Sequence, residues 1–312
     1  MPEARSRWRA FSAYLRERFG GPVRKLPVHA GFTCPNRDGS LSSQGCIFCE
    51  PSAFAGGTGV QRQGPEAPPM AEQLRQGVEQ GKRQGILRFM AYFQSYTNTY
   101  APPAVLRGVY GTIRAFPEIK SLAIGTRPDC VDEAVLAAIA EFLPEYEVWM
   151  EYGLQSSHDA SLAWLNRGHD SAAFKRAVEL TRQWPQMKIC AHVILGIPGE
   201  TGESEAETAL AISRWRLEGV KLHPLYAVAG TALAGLFHSR RFEPLGREAY
   251  VERVVSFLER LRPEVVIQRL TADCPADKLV APQWLLDKSG VLADIQAKME
   301  AEDTWQGKRL EG

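Results

Sequence analysis

Three cysteines near the amino end of the chain are the residues whose type and spacing point most directly to chemistry. Eleven residues separate Cys34 from Cys46, and two separate Cys46 from Cys49. Two thiolates so close in sequence can chelate one metal centre, and the intervening residues 35–45, rich in Gly, Ser, Asn and Asp, can fold Cys34 back onto it. The pattern therefore predicts a thiolate-bound iron–sulfur cluster or zinc ion.

Three thiolates leave the nature of this centre open. A cluster with one iron free of protein ligands can also bind a substrate, whereas a structural zinc site needs a fourth ligand, such as His29. The other cysteines are far apart in sequence. Cys190 falls in an apolar run and is expected in the core, while Cys130 and Cys274 lie near predicted strand ends, where a second metal site is conceivable.

Composition excludes several classes of protein. Hydrophobic residues make up 45% of the 312 positions, which is enough for a sizeable core, and no stretch approaches the 18 apolar residues of a membrane span. The start of the chain lacks the pattern of a signal peptide, so six cysteines are not expected to form a disulfide framework. We therefore expect a cytoplasmic protein that makes no membrane contact.

Charge is uneven along the chain. The net charge is +1, which gives no global reason for binding nucleic acid, yet residues 1–25 hold seven Arg or Lys against two Glu. This basic segment is either a solvated helix face or a contact for nucleic acid.

The elements that must position the cysteines alternate between strands and helices. Nearly continuous apolar runs are typical of parallel strands covered on both faces, and helix-like segments separate them. The predicted strands are 28–32, 86–93, 119–126, 146–155, 188–196 and 220–228, with a possible edge strand at 264–271. The order predicts an α/β fold, a partial (βα)6 TIM-like barrel with N- and C-terminal extensions.

We expect one barrel domain flanked by two extensions. The basic N-terminal extension covers residues 1–25, the barrel covers residues 26–275, and a C-terminal extension covers residues 276–312, with a helix around Val291–Glu300.

The cysteines and four later segments resemble the radical S-adenosylmethionine (SAM) superfamily. The long first spacing departs from the three-then-two spacing of most members and is similar to the Elongator-catalytic-subunit-like branch, above all to the YhcC-type family of short bacterial members. The segments that carry the resemblance are FQSYTNTYAP (93–102), TRPDC (126–130), EYGLQSSHDASLAWLNRGHD (151–170) and HVILGIPGET (192–201).

The resemblance implies an enzyme with a [4Fe–4S] cluster on Cys34, Cys46 and Cys49. Such an enzyme reductively cleaves SAM to a 5′-deoxyadenosyl radical and takes its electron from reduced flavodoxin or ferredoxin. The resemblance also implies a set of SAM-binding residues at successive strand ends. These are Phe48 and Ile197 near the adenine, Thr97 near the methionine amino group, Gln155 and His192 near the ribose, and Arg167 near the carboxylate.

The substrate is the least determined part of the prediction. Resemblance to tRNA-modifying relatives implies remodelling of a tRNA wobble-uridine side chain, for which Tyr92, Tyr96, Tyr100 and Phe54 are candidate stacking residues. The alternatives are a small-molecule cofactor precursor such as a tetrapyrrole, because two segments also resemble coproporphyrinogen oxidases, and a non-catalytic zinc-binding scaffold.

Overall fold

One curved sheet of seven parallel strands organises the chain in the computed structural model, which describes residues 6–50 and 68–310. The sheet curls into a half-barrel, which confirms the predicted partial barrel. Its strands, in spatial order, are β1 (Arg24–Val28), β2 (Phe89–Phe93), β3 (Ile119–Thr126), β4 (Glu147–Gln155), β5 (Lys188–Leu195), β6 (Gly219–Pro224) and β8 (Val266–Arg269). A separate antiparallel pair consists of β7 (Ala227–Val228) and β9 (Leu279–Ala281).

The helices of the β–α units cover the outer face of the sheet, and a large apolar core lies between the two layers. Side-chain caps define several helix starts, as when Asp132, Asp170 and Thr201 accept the amide N–H of the third helical residue. The helices are α1 (Phe11–Phe19), α2 (Met70–Arg83), α3 (Pro103–Gly111), α4 (Glu133–Ala140), α5 (Asp159–Trp164), α6 (Ser171–Thr181), α7 (Gly202–Arg214), α8 (Ala232–His238), α9 (Arg247–Leu258) and α10 (Lys288–Ala301).

Two predicted strands were placed wrongly. The first strand is β1 rather than residues 28–32. The sequence hid it because β1 includes Lys25, a charged residue that lies 3.7 Å from the buried Glu151 carboxylate and interrupts the apolar pattern expected of a strand. The run 220–228 is two strands rather than one. After Pro224 the chain leaves the main sheet and pairs with β9. The possible edge strand at 264–271 is present as β8.

Side chains on the concave face of the sheet form two layers. The lower layer, at the amino ends of the strands, is apolar and includes Met90, Trp149, Cys190 and Val266, and helix α1 packs beneath it. Above it lies a layer of polar residues from neighbouring strands, which we call the polar layer: Lys25, Tyr92, Glu151, His192 and Lys221. Such layering is usual inside barrels of parallel strands.

The two ends of the chain meet at the amino end of the sheet. The side chain of Gln306 accepts the N–H of Arg9 and donates to the carbonyl oxygens of Arg262 and Val265. The division into residues 1–25, 26–275 and 276–312 stays a prediction, and the first of its boundaries falls inside β1. Within the described residues, no helix is long and apolar enough to cross a bilayer.

Candidate functional site

A cavity at the carboxyl ends of the strands brings together residues from most of the sheet. Cys34, Cys46 and Cys49 all line it, and none of the three is in a disulfide. Parallel strands end at the same edge of a sheet, so loops that are distant in sequence converge there. The three cysteines predicted to share one centre therefore line one cavity together with residues from distant strands.

Hydrogen bonds hold the cysteine loop against the segment that follows α5. The Asn36 side chain donates to the Asn166 carbonyl at 2.7 Å, and the Asn166 side chain donates to the Gly45 carbonyl at 2.6 Å. The amide of Ile47 donates to the carbonyl of Leu165 at 3.1 Å. These reciprocal contacts position the loop, and the Asn36 side chain also donates to Sγ of Cys46 at 3.5 Å.

The thiols themselves lie among cations. Nη1 of Arg167 donates to Sγ of Cys46 at 3.2 Å, and the Arg37 guanidinium donates to the carbonyl of Cys49. Burial, reinforced by the neighbouring Cys46, raises the pKa of Cys49 to about 12. The free thiol is therefore protonated at neutral pH, and binding of a metal centre would displace that proton.

Within residues 6–50 and 68–310, no three His, Cys, Asp or Glu side chains converge on a point that would hold a single metal ion. The three thiols do line the same cavity, and besides burial the neighbouring Cys46 and Cys34 both raise the pKa of Cys49.

Three of the predicted SAM-binding residues line the cavity and have side-chain polar atoms that make no hydrogen bond within the described residues. Thr97, Gln155 and Arg167 line it, and each is at most 7% exposed. Within the described residues, Thr97 Oγ1, Gln155 Oε1 and Arg167 Nε are buried without a hydrogen-bond partner. Leaving such atoms unpaired costs about 1–3 kcal/mol each, so the cavity is complementary to a polar ligand.

Gln155 also has an unusual backbone. Its φ of 70° lies in the left-handed region that non-glycine residues rarely adopt. The strand register shifts at this point, between Gly153 and Gln155. Strain of this kind commonly marks a functional position.

The remaining predicted residues divide between the cavity and the core. Phe48 and His192 line the cavity. Ile197 is not among the lining residues; it is 1% exposed and packs with Leu165, Ile194 and Leu225, in a cluster that Phe48 also contacts. The turn that carries Ile197 is held by Glu205, whose carboxylate accepts the Gly196 N–H at 2.8 Å.

Several lining residues were not predicted from the sequence. They include Arg127, whose guanidinium pairs with Asp129 at 2.7 Å and keeps Nη1 unpaired among the described residues, and Arg269, the last residue of β8. Glu151 and Lys221 line the cavity as well. The sequence signal for these two was a single charged residue inside an otherwise apolar strand, which also occurs in structural ion pairs.

The polar layer carries strong electrostatic coupling. Burial would raise the pKa of Glu151, but Lys221, Lys25 and His192 outweigh it and hold that pKa well below its usual range. Burial, assisted by Lys221, lowers the pKa of His192 to about 4, so its imidazole is neutral at pH 7. Burial also lowers the pKa of Lys25 to about 7. The resulting layer is one carboxylate held by cations and a neutral histidine.

Comparison with known proteins agrees with this geometry. Residues 35–212 match the sequence model of the radical SAM superfamily, and residues 217–301 match that of the radical SAM C-terminal domain. The chain is 39% identical over 276 residues to Protein YhcC of Escherichia coli strain K12, which covers 88% of this chain and 86% of the relative.

More distant relatives share part of the chain. A tRNA uridine(34) acetyltransferase of Methanocaldococcus infernus is 27% identical over 164 residues, which covers 51% of this chain and 30% of that protein. The structure of Methanocaldococcus infernus Elp3 with residues 1–46 deleted aligns with a TM-score of 0.65 at 18% identity, over 91% of this chain but only 64% of that one. That likeness establishes the fold.

The superfamily match extends over more than half of the chain and is accompanied by close similarity to a relative over nearly its full length. The protein is therefore an enzyme of the radical SAM superfamily, whose members use a [4Fe–4S] cluster and S-adenosylmethionine.

Proposed function

We propose that Cys34, Cys46 and Cys49 hold the [4Fe–4S] cluster and that the enzyme remodels the side chain of the tRNA wobble uridine. The observation that carries the first part is the shared cavity, where three free thiols lie beside the unpaired polar atoms of Thr97, Gln155 and Arg167. The second part is supported by the partial similarity to tRNA uridine(34) acetyltransferases.

The protein's own residues have separate tasks in this proposal. When bound, a reduced cluster would supply the electron for breaking the C5′–S bond of SAM, which gives methionine and a 5′-deoxyadenosyl radical. Arg167 and Thr97 would hold the amino-acid end of SAM, Gln155 and His192 would contact its ribose, and Phe48 would pack beside its adenine. The apolar layer and α1 close the amino end of the half-barrel and exclude water there.

The basic N-terminal segment gives no support to the proposal of a tRNA substrate. Among the described residues, three of its arginines, Arg7, Arg9 and Arg18, have carboxylate partners. Arg7 pairs with Asp303 at 3.0 Å, and Arg18 pairs with Glu147 at 2.9 Å. Of the candidate stacking residues, Tyr92 and Tyr96 line the cavity, Tyr100 hydrogen bonds Ser40 outside it, and Phe54 lies outside the described residues.

Reduced flavodoxin or ferredoxin is the electron donor that this proposal requires. A cytoplasmic location, where such donors occur and thiols stay reduced, is part of the same proposal.

Replacing all three loop cysteines with alanine tests the cluster. We expect the anaerobically purified variant to lose its iron and its charge-transfer absorption, and SAM cleavage with them, because none of the three loop thiolates remains to bind the cluster. Cys274→Ala is the matched control, since Cys274 is outside the cavity lining and should leave iron content unchanged. Full iron occupancy in the triple variant would refute the assignment.

The substrate is tested by comparing the modified nucleosides of tRNA from a gene-deletion strain and its parent. We expect one wobble-position nucleoside to be lost and to return with the wild-type gene but not with the triple-cysteine variant. Binding of tRNA should also weaken with salt, with log affinity falling by roughly 0.7–0.9 per phosphate contact for each decade. If every tRNA nucleoside is unchanged, a small-molecule substrate replaces this proposal.

A further inference from the structure

Arg127 is a cavity residue that has no task in the SAM site proposed above. It directly follows β3, lines the same cavity as the three loop cysteines and is 3% exposed. Arginine is almost never buried to this extent unless its guanidinium has partners, so the contacts of this side chain indicate what it does.

One edge of the Arg127 guanidinium is fixed by a carboxylate. Nε donates to Oδ1 of Asp129 at 2.9 Å and Nη2 donates to Oδ2 at 2.7 Å, which makes a bidentate pair. Nη1 lies outside the edge that faces Asp129. It is buried and has no hydrogen-bond partner within the described residues. The ion pair therefore holds the guanidinium in one orientation and leaves one donor nitrogen unused.

The surroundings of Gly168 place this guanidinium close to the cysteine loop. A Cβ at Gly168 would lie 3.6 Å from Nη2 of Arg127 and 3.3 Å from Oδ1 of Asn36. Asn36 in turn donates to Sγ of Cys46 at 3.5 Å. Arg127 and Asn36 thus pack around the same glycine, and Asn36 contacts one of the cysteines proposed to bind the cluster.

Arg127 also interacts electrostatically with the loop thiols. Burial would lower the pKa of Arg127, but its pairing with Asp129 and the charges of Cys46 and Cys34 raise that pKa above its usual value. The guanidinium is therefore permanently charged and has an unused donor beside two sulfur ligands. Such a group is complementary to a buried anion, and a cluster held by three thiolates is one.

We propose that Nη1 of Arg127 donates a hydrogen bond to a sulfur of the [4Fe–4S] cluster, either a cysteine Sγ or an inorganic sulfide, and thereby raises the reduction potential of the cluster. Reduction adds one electron, so the sulfurs carry more negative charge and accept a stronger hydrogen bond in the reduced state. Hydrogen bonds to the sulfurs are among the features that set the potentials of such clusters. This inference rests on the proposed binding of the cluster by Cys34, Cys46 and Cys49, and it names a residue that adjusts how readily the electron donor reduces that cluster.

Arg127→Lys tests the hydrogen bond without changing the charge. Lysine can keep an ion pair with Asp129, but it lacks the planar fork that presents Nη1 beyond that pair. We expect the reduction equilibrium of the cluster, in the anaerobic full chain without SAM, to shift about tenfold toward the oxidised form, which is a potential about 59 mV lower for one electron. A redox titration with mediator dyes, followed by electron paramagnetic resonance of the reduced cluster, measures this shift.

Two further variants separate the hydrogen bond from general effects of charge and folding. Arg176→Gln is the matched control, because it removes a positive charge from the exposed face of α6 and lies outside the cavity lining. It should keep the wild-type potential. Arg127→Gln removes the charge and the donor together and should lower the potential at least as far as Arg127→Lys does. Iron content and SAM affinity, the latter measured by equilibrium dialysis, should stay unchanged in Arg127→Lys.

The outcomes distinguish this inference from the proposed function. If Arg127→Lys keeps the wild-type potential, or if Arg176→Gln lowers the potential equally, the inference is overturned while the cluster assignment stands. If Arg127→Lys weakens SAM binding at an unchanged potential, Arg127 holds the SAM carboxylate instead. Loss of iron in Arg127→Lys would show that Arg127 supports the cysteine loop rather than the potential, and would also overturn the inference. If the wild-type protein contains no reducible cluster, it is the proposed function that fails.

Discussion

Arg167 shows how much a single side chain can connect in this cavity. Nη1 donates to Cys46 Sγ, while Nη2 donates to the Gly153 carbonyl at 3.0 Å and contacts His169 Nε2 at the same distance. Nε is left buried and unpaired among the described residues. The guanidinium therefore links the cysteine loop to β4 and retains one donor for an anionic ligand group.

At this scale we expect Arg167→Ala to weaken SAM binding by about tenfold to a hundredfold, because a hydrogen bond to a charged group is worth about 1.5–3 kcal/mol. Isothermal titration of the cluster-loaded protein with SAM measures the affinity, and the iron content is checked in parallel. Arg176→Ala, on the exposed face of α6, is the control. Unchanged affinity with an intact cluster would show that another residue, such as Arg127, holds the carboxylate.

Among the elements, helix α1 closes the amino end of the half-barrel. Phe11 and Tyr14 each pack edge-on against Trp149, with ring centroids 5.7 Å apart. The Glu147 carboxylate receives the Tyr14 hydroxyl, the Trp149 indole N–H and Arg18. One carboxylate thus ties α1 to the start of β4.

Phe11→Ala tests this closure. We expect it to lower the free energy of unfolding by about 3 kcal/mol, since it removes a buried aromatic ring and leaves a cavity that the sheet cannot fill. Urea denaturation measures the loss, and Arg16→Ala on the exposed side of the same helix should change stability little. A loss below about 1 kcal/mol would mean that α1 packs only loosely.

For the whole molecule, burial of neutral histidines makes the fold sensitive to acid. Burial lowers the pKa of His192 to about 4, and it lowers those of His169 and His223 to about 3. In the unfolded chain each would titrate near 6.5, so the unfolded state binds more protons once the pH falls below that value. The contribution of these histidines to the free energy of unfolding is therefore complete above about pH 6.5 and is lost as the pH falls toward 4.

The expected slope is up to about 1.4 kcal/mol per pH unit for each histidine in that window. Unfolding free energies measured in urea between pH 7 and pH 5 give it directly. His223→Gln should reduce the slope by the contribution of one histidine, up to about 1.4 kcal/mol per pH unit, whereas replacing the exposed His238 should leave the slope unchanged. An unchanged slope in His223→Gln would show that His223 does not stay neutral in the fold.

Much of the fold was predictable because strand and helix patterns are local. Nearly continuous apolar runs indicated β2 to β5, and the alternation of strands and helices indicated a partial barrel. The exceptions have physical causes. A lysine is not expected inside a buried strand, and Lys25 is tolerated in β1 only because it pairs with Glu151, which is 126 residues away in sequence. Strand β6 ends at Pro224, although the apolar run continues past that residue.

The candidate site was likewise predictable only where its pattern is local in sequence. The spacing of Cys34, Cys46 and Cys49 indicated a metal centre from sequence alone, because ligand spacing is itself a local property. The chemistry of the lining residues that the strands contribute depends on which strands become neighbours. Only the curvature and register of the sheet place Lys221 and His192 against Glu151, and so decide which donors and acceptors in the cavity remain free.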